Sequence, residues 1–129
     1  MINILDLVGR VFISLLFLLN GYFKILNYNG TIEWMESYSV PGIFLIPAII
    51  LEIAAPVLII IGYKTKIAAI FLATFCIVTA LIFHNDFSNQ IQITSFLKNI
   101  ALAGGFILIG VNGTKKFSLD SRKLDNETN

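Results

Sequence analysis

The stretch IFLIPAIILEIAAPVLIIIG, Ile43–Gly62, decides the fold. It runs for twenty residues and carries one charge, Glu52. An α-helix needs about 20 residues to cross a ~30 Å hydrocarbon core, so this segment is predicted to span a membrane. Three further apolar runs surround it: Leu5–Leu26 before it, then Ile67–Phe83 and Phe96–Val111 after it. The last two are short for a span. Flanking Lys66, His84 and Lys98 can extend them by reaching toward the interfaces. Composition agrees. Apolar residues make up 57% of the 129 residues and charged residues 13%, and the mean hydropathy is +0.83. A soluble domain of this size has too little interior to hide so much apolar surface. The expected fold is all-α, an integral membrane four-helix bundle over residues 1–113. A polar, basic tail over 114–129 follows and is expected to be partly disordered after Phe117.

The connections give an orientation. Asn27–Gly42 holds Glu33 and Glu36 but no Lys or Arg, and His84–Ser95 holds only Asp86. Tyr63–Lys66 holds Lys64 and Lys66, and the tail holds Lys115, Lys116, Arg122 and Lys123. Positive charge marks the cytoplasmic side, so both termini are expected in the cytoplasm, with Arg10 at the inner end of the first helix. Lys98 is the exception, at the outer end of the fourth. Arg10 followed by Val11–Leu19 imitates a signal peptide, but no small-residue cleavage site follows, so the segment reads as a retained helix. In the first connection, Tyr28, Trp34 and Tyr38 suit an interfacial aromatic belt. Ile32–Tyr38 is expected to form a short surface helix, and Val40-Pro41-Gly42 a turn.

Ionisable groups inside membrane helices are costly and usually face the bundle interior. Glu52 is the sharpest case, halfway along its helix. Pro56, four residues on, removes the N–H that the Glu52 carbonyl would accept, so a kink is expected there. Asn20 and Lys24 share one face of the first helix. His84 closes the third helix, with Gln90 and Gln92 following. Lys98 and Asn99 open the fourth. In an antiparallel bundle Asn20, Lys24, Glu52, His84, Lys98 and Asn99 all lie at mid-depth or in the outer half. They are predicted to line one polar pocket. Ala101, Gly104 and Gly105, with Gly9 and Gly21, are read as packing positions.

Other chemistries lack residues. The single His excludes a haem held by two histidines, and no His/Cys set has metal-ligand spacing, so no metal is expected. The lone Cys76 cannot form an internal disulfide or a CxxC pair and reads as a small buried hydrophobe. No phosphate-binding glycine motif appears. A net charge of +1 does not suggest nucleic acid.

At these residues the chain resembles the DoxX family. Arg10 with Phe17-Leu18-Leu19-Asn20-Gly21-Tyr22-Phe23-Lys24 resembles the family's opening. The Glu52 helix leading to Gly62-Tyr63-Lys64-Thr65-Lys66 continues the likeness. The strongest match is Gln90 and then Phe96-Leu97-Lys98-Asn99-Ile100-Ala101-Leu102-Ala103-Gly104-Gly105, followed by Ser118-Leu119-Asp120. Asn20 departs from the pattern, standing where a small Ser or Ala is more usual. The resemblance implies a four-helix inner-membrane protein. It also implies a link to respiratory or thiol-redox systems, because relatives include a quinone-reducing subunit.

Two readings of function stay open. In the first, the chain is a membrane component of an oxidoreductase system. Lys24, Lys98 and His84 hold a quinone or a small anion in the outer-half pocket, and Glu52 relays protons. No cofactor is covalently bound, and electrons come from a partner redox protein or a bound substrate. In the second, the chain is a non-enzymatic scaffold, accessory subunit or small carrier whose polar cluster locks the helices together. In both the bilayer is the main partner, and oligomers are possible in either.

Overall fold

The computed structural model describes residues 1–128. Four helices are long and apolar enough to cross a membrane. They are α1 (Ile2–Leu26), α3 (Leu45–Ile61, preceded by a 3-10 turn at Gly42–Phe44), α4 (Thr65–Phe83) and α5 (Gln90–Asn112). Two short helices complete the described chain, α2 (Tyr28–Ser37) and α6 (Leu119–Thr128). The protein is an all-α membrane protein, and the four spans agree with the sequence expectation.

The helices pack in sequence-local pairs. α1 lies against α3, α5 lies against α4, and α3 and α4 join the pairs. Backbone N–H groups of Lys115 and Lys116 donate to Asp6 and Asn3. The start of α1, the α3–α4 turn and the tail therefore share one end of the bundle, here the terminal end. The opposite end is the distal end.

The main core is Phe17, Ala55, Ile59, Phe106 and a run of small residues on α4, Ala68, Ala69, Ala73 and Cys76, around Leu72. With no hydrophobic drive between helices in lipid, close van der Waals approach carries their association, and small side chains permit it. The stripe that does this sits mostly on α4. On α5, a Cβ added to Gly105 would come within 2.8 Å of Ile13, as expected of a packing glycine. The expectation fails for Ala101 and Gly104: Ala101 is exposed and Gly104 meets nothing within 4 Å, because both lie on the outer face of the helix. Gly9 is likewise open, whereas Gly21 packs against Ile53. Cys76 is buried in the core, as predicted. The outer faces carry Phe12, Ile50, Ile70, Phe71 and Leu108, all exposed, as lipid-facing side chains should be.

Other differences concern boundaries. α5 begins six residues before the apolar run, because the Asn89 side chain accepts from the Ile91 N–H and caps a polar first turn. α2 is longer than Ile32–Tyr38 and buries Met35 against Leu45 and Phe83. α3 continues as a helix through Pro56. The tail is helical from Leu119 rather than irregular, and its attachments explain why. Asn129 lies outside the described residues.

Those attachments centre on the α3–α4 turn. α3 ends in a Schellman motif: Gly62 takes a left-handed backbone (φ 71°), its N–H reaches Ile59 O, and the Tyr63 N–H reaches Leu58 O at 2.9 Å. Glycine is needed twice over here, because a Cβ would also collide with Ser118. The first N–H groups of α4 have no partner in their own helix. Asp120 supplies one, accepting from the N–H groups of Lys64 at 2.8 Å and Thr65 at 3.0 Å. Its partial burial pushes the carboxyl pKa up. The Thr65 and Lys64 donors, with Lys123 nearby, outweigh that and hold it below the ordinary range.

Candidate functional site

Lys24 stands in the last turn of α1, and Glu52 faces it from α3. The Lys24 Nζ lies 2.5 Å from Glu52 Oε2. The Glu52 side chain is 2% exposed and that of Lys24 27%. An unpaired carboxylate at such a position would carry a heavy desolvation cost, so the pair is the condition for its burial. The ammonium also lies 5.7 Å from the centroid of the Phe75 ring, within reach of a cation–π attraction. One turn earlier on α1, Asn20 shares the face of Lys24.

Helices α4 and α5 bring the other polar groups. Asn99 donates through Nδ2 to Thr79 Oγ1 at 3.2 Å, and Thr79 itself donates to the Phe75 carbonyl. His84 Nδ1 lies 3.0 Å from Gln92 Oε1, which fixes the ring across the α4–α5 connection. Lys98 is exposed and has no carboxylate within 4.0 Å among the described residues.

These groups surround a cavity of about 560 Å³. Asn20, Lys24, His84, Lys98 and Asn99 line it, and so do Leu16, Phe17, Phe75, Ile82 and Leu102. Glu52 is not part of the wall; it stands behind Lys24 and is reached through the ion pair. The six residues singled out from the sequence thus come together, five on the surface of one cavity and one in its supporting layer.

Sequence reasoning missed two parts of this region. The first is the aromatic cover. Trp34, expected in an interfacial belt, stacks on Phe83 at 4.5 Å between centroids, and Tyr38 meets the same ring edge-on at 5.2 Å. Trp34, Met35, Ser39 and Phe44 line the cavity as well. An aromatic-rich connection beside a polar cluster was the available signal. The second is Thr79, hidden as the only hydroxyl in an otherwise apolar turn.

Arg10 is a further missed centre, at the terminal end. It is 2% exposed. It donates to Asp6 at 3.0 Å, to the carbonyls of Ile59 and Ile60 at 3.0 and 2.7 Å, and to the carbonyl of Phe117 at 2.7 Å. Ile59 and Ile60 belong to the last turn of α3, whose carbonyls lack helical partners. A guanidinium suits that place by hydrogen bonding and by the helix dipole. Arg10 is an assembly residue, remote from the cavity.

The cavity combines an apolar wall with convergent polar groups, the usual make-up of a small-molecule site. Its polar groups are ammonium, amide and imidazole, so it can grip an acceptor oxygen. Among the described residues no cluster of His, Cys, Asp or Glu could hold a metal ion.

Comparison with known proteins gives the family. The DoxX family profile matches residues 5–85. The Escherichia coli (strain K12) inner membrane protein YqjF is 37% identical over 114 residues, covering 88% of each chain. The inner membrane protein YphA of the same organism is 31% identical over 126 residues, covering 92% of this chain and 90% of its own. No solved structure matches significantly. With the profile spanning most of the four-helix region and two relatives matched nearly end to end, the chain belongs to the DoxX family.

Proposed function

We propose that this chain is an inner-membrane component of a quinone-linked redox system, with the distal cavity as its quinone site. The relatives are named as inner membrane proteins, and the positive-inside rule puts the terminal end, with both termini, in the cytoplasm. The observation that carries the reading is the cavity itself: about 560 Å³, apolar walls, and Lys24, His84 and Lys98 on one surface. A quinone head is flat, apolar and edged by two carbonyl oxygens, and these walls and donors fit it. When bound, it would supply two-electron, two-proton chemistry. Lys98 and His84 would orient one carbonyl. Lys24 would donate a proton to the other, and the Glu52 carboxylate would take up a proton from water and pass it on to the Lys24 amine. Electrons would enter from a partner redox protein. The test is extraction of the detergent-purified protein with organic solvent and chromatography for quinone. The expected result is stoichiometric quinone from the native chain and much less from Lys98→Met. An empty extract from native protein, with no quinone uptake on titration, overturns the reading.

A second reading, a non-enzymatic scaffold or carrier, is favoured by the bonds that join the two helices of each pair. Lys24–Glu52 ties α1 to α3 and Asn99–Thr79 ties α5 to α4. On this reading Lys98→Met changes nothing, since Lys98 makes no such bond, whereas Glu52→Gln only lowers stability.

A further inference from the structure

A second cavity, of about 530 Å³, lies at the terminal end and has no part in the reading above. Its wall comes from three places: the start of α4 (Lys64, Lys66, Ile67), the end of α5 (Asn112, Thr114), and α6 (Ser121, Lys123, Leu124). We propose that this cleft binds the phosphate of an anionic glycerophospholipid from the adjacent leaflet.

Three observations support it. Lys64, Lys66 and Lys123 meet here from segments far apart in sequence, and none of their ammonium groups has a carboxylate within 4.0 Å among the described residues. Compact ammonium groups on flexible stems are suited to phosphate. Two carboxylates share the wall, Asp120 and Glu127. Asp120 is committed to the backbone N–H groups of Lys64 and Thr65, so its charge is largely consumed within the fold. Glu127 stands at the exposed end of α6. The cleft also has an apolar side. Ile67 and Leu124 line it and are 57% and 62% exposed, and Ile67 begins the lipid-crossing part of α4. A soluble phosphate would leave those side chains uncovered, but the glycerol and acyl chains of a lipid would cover them. Amide and hydroxyl groups of Asn112, Thr114 and Ser121 offer further donors for the phosphate and ester oxygens. Basic pockets between membrane helices at the interface are general headgroup sites.

The experiment is native mass spectrometry of the detergent-solubilised full chain, titrated with phosphatidylglycerol or phosphatidylcholine. Native protein is expected to retain one phosphatidylglycerol in preference to phosphatidylcholine. Lys64→Gln/Lys66→Gln/Lys123→Gln should abolish the preference, and Lys123→Gln alone, at an exposed position, should weaken it about fivefold. The triple variant Lys115→Gln/Lys116→Gln/Arg122→Gln removes equal charge outside the cleft and should keep the preference. Equal losses in the two triple variants would overturn the proposal, because basicity alone would then explain retention. Equal retention of both lipids, or displacement by millimolar inorganic phosphate, would also overturn it, the latter pointing to a soluble phosphate ligand. Thermal unfolding of each variant separates loss of the site from loss of the fold.

Discussion

At the scale of single residues, the charges fall into two groups with different tasks. Arg10 holds the molecule together. Replacing it with Ala removes the donors to three carbonyls and leaves Asp6 beside an empty space, so unfolding in detergent should become easier by about 3 kcal/mol or more. Arg10→Lys should recover only part, because one ammonium cannot span the same acceptors. A thermal-shift series on the three proteins decides it, and an unchanged Arg10→Ala would show that the clasp contributes nothing. Gly62→Ala should also destabilise, by about 1–2 kcal/mol from the left-handed backbone alone, with the collision at Ser118 adding to it. The charged and amide residues at the cavity could be picked out in the sequence because each interrupts or ends an apolar run. Glu52 and Lys24 could be named without a structure, and an antiparallel bundle then brings them to similar depth. Their pairing at 2.5 Å was not legible, since nothing local says which helix faces which. Arg10 was visible only as a marker of sidedness. Its partners are backbone carbonyls, which every sequence has and none advertises.

At the scale of elements, the informative cases are the helix ends. Periodicity and hydropathy found the four spans. They missed the first turn of α5, since Gln90, Gln92 and Thr94 look like loop residues until Asn89 is recognised as a cap. They missed α6 because its cap-like use of Asp120 serves another helix, 55 positions earlier. That cap gives a pH prediction. The folded-state pKa of Asp120 lies below its ordinary value, so the stabilisation is fully present above the ordinary carboxylate range and is lost as pH falls through the lowered value. Asp120→Asn should cost about 1 kcal/mol at neutral pH. The difference from native protein should shrink in acid. Parallel melting curves at neutral and acid pH measure both, and a gap that does not narrow would contradict the assignment. α5 offers a sharper contrast. Gly104→Ala should be neutral or slightly stabilising, because Ala is the better helix former and the site is open. Gly105→Ala should gain less than Gly104→Ala, because the tip of the Ile13 side chain must swing aside to admit the new methyl. If Gly104→Ala proved the more harmful, another chain must cover that face.

At the scale of the whole molecule, the two ends differ in character. The distal end encloses a cavity under an aromatic cover. The terminal end is knitted by hydrogen bonds among the start of α1, the α3–α4 turn and the tail. The positive-inside reading makes a direct prediction: a C-terminal alkaline phosphatase fusion should be inactive and a C-terminal fluorescent protein bright, with the opposite pattern overturning the orientation.

The Asp120 cap and the Arg10–Phe117 bond also bear on the order of synthesis. All four spans emerge from the ribosome before the residues that close the α3–α4 turn. Until Phe117 and Asp120 appear, Arg10 lacks one carbonyl and α4 lacks its cap. A nascent or prematurely ended chain can therefore be inserted without being finished. A chain stopped just after Asn112 is therefore expected to be cut by membrane proteases faster than one that continues through Asp120, although every spanning helix is present.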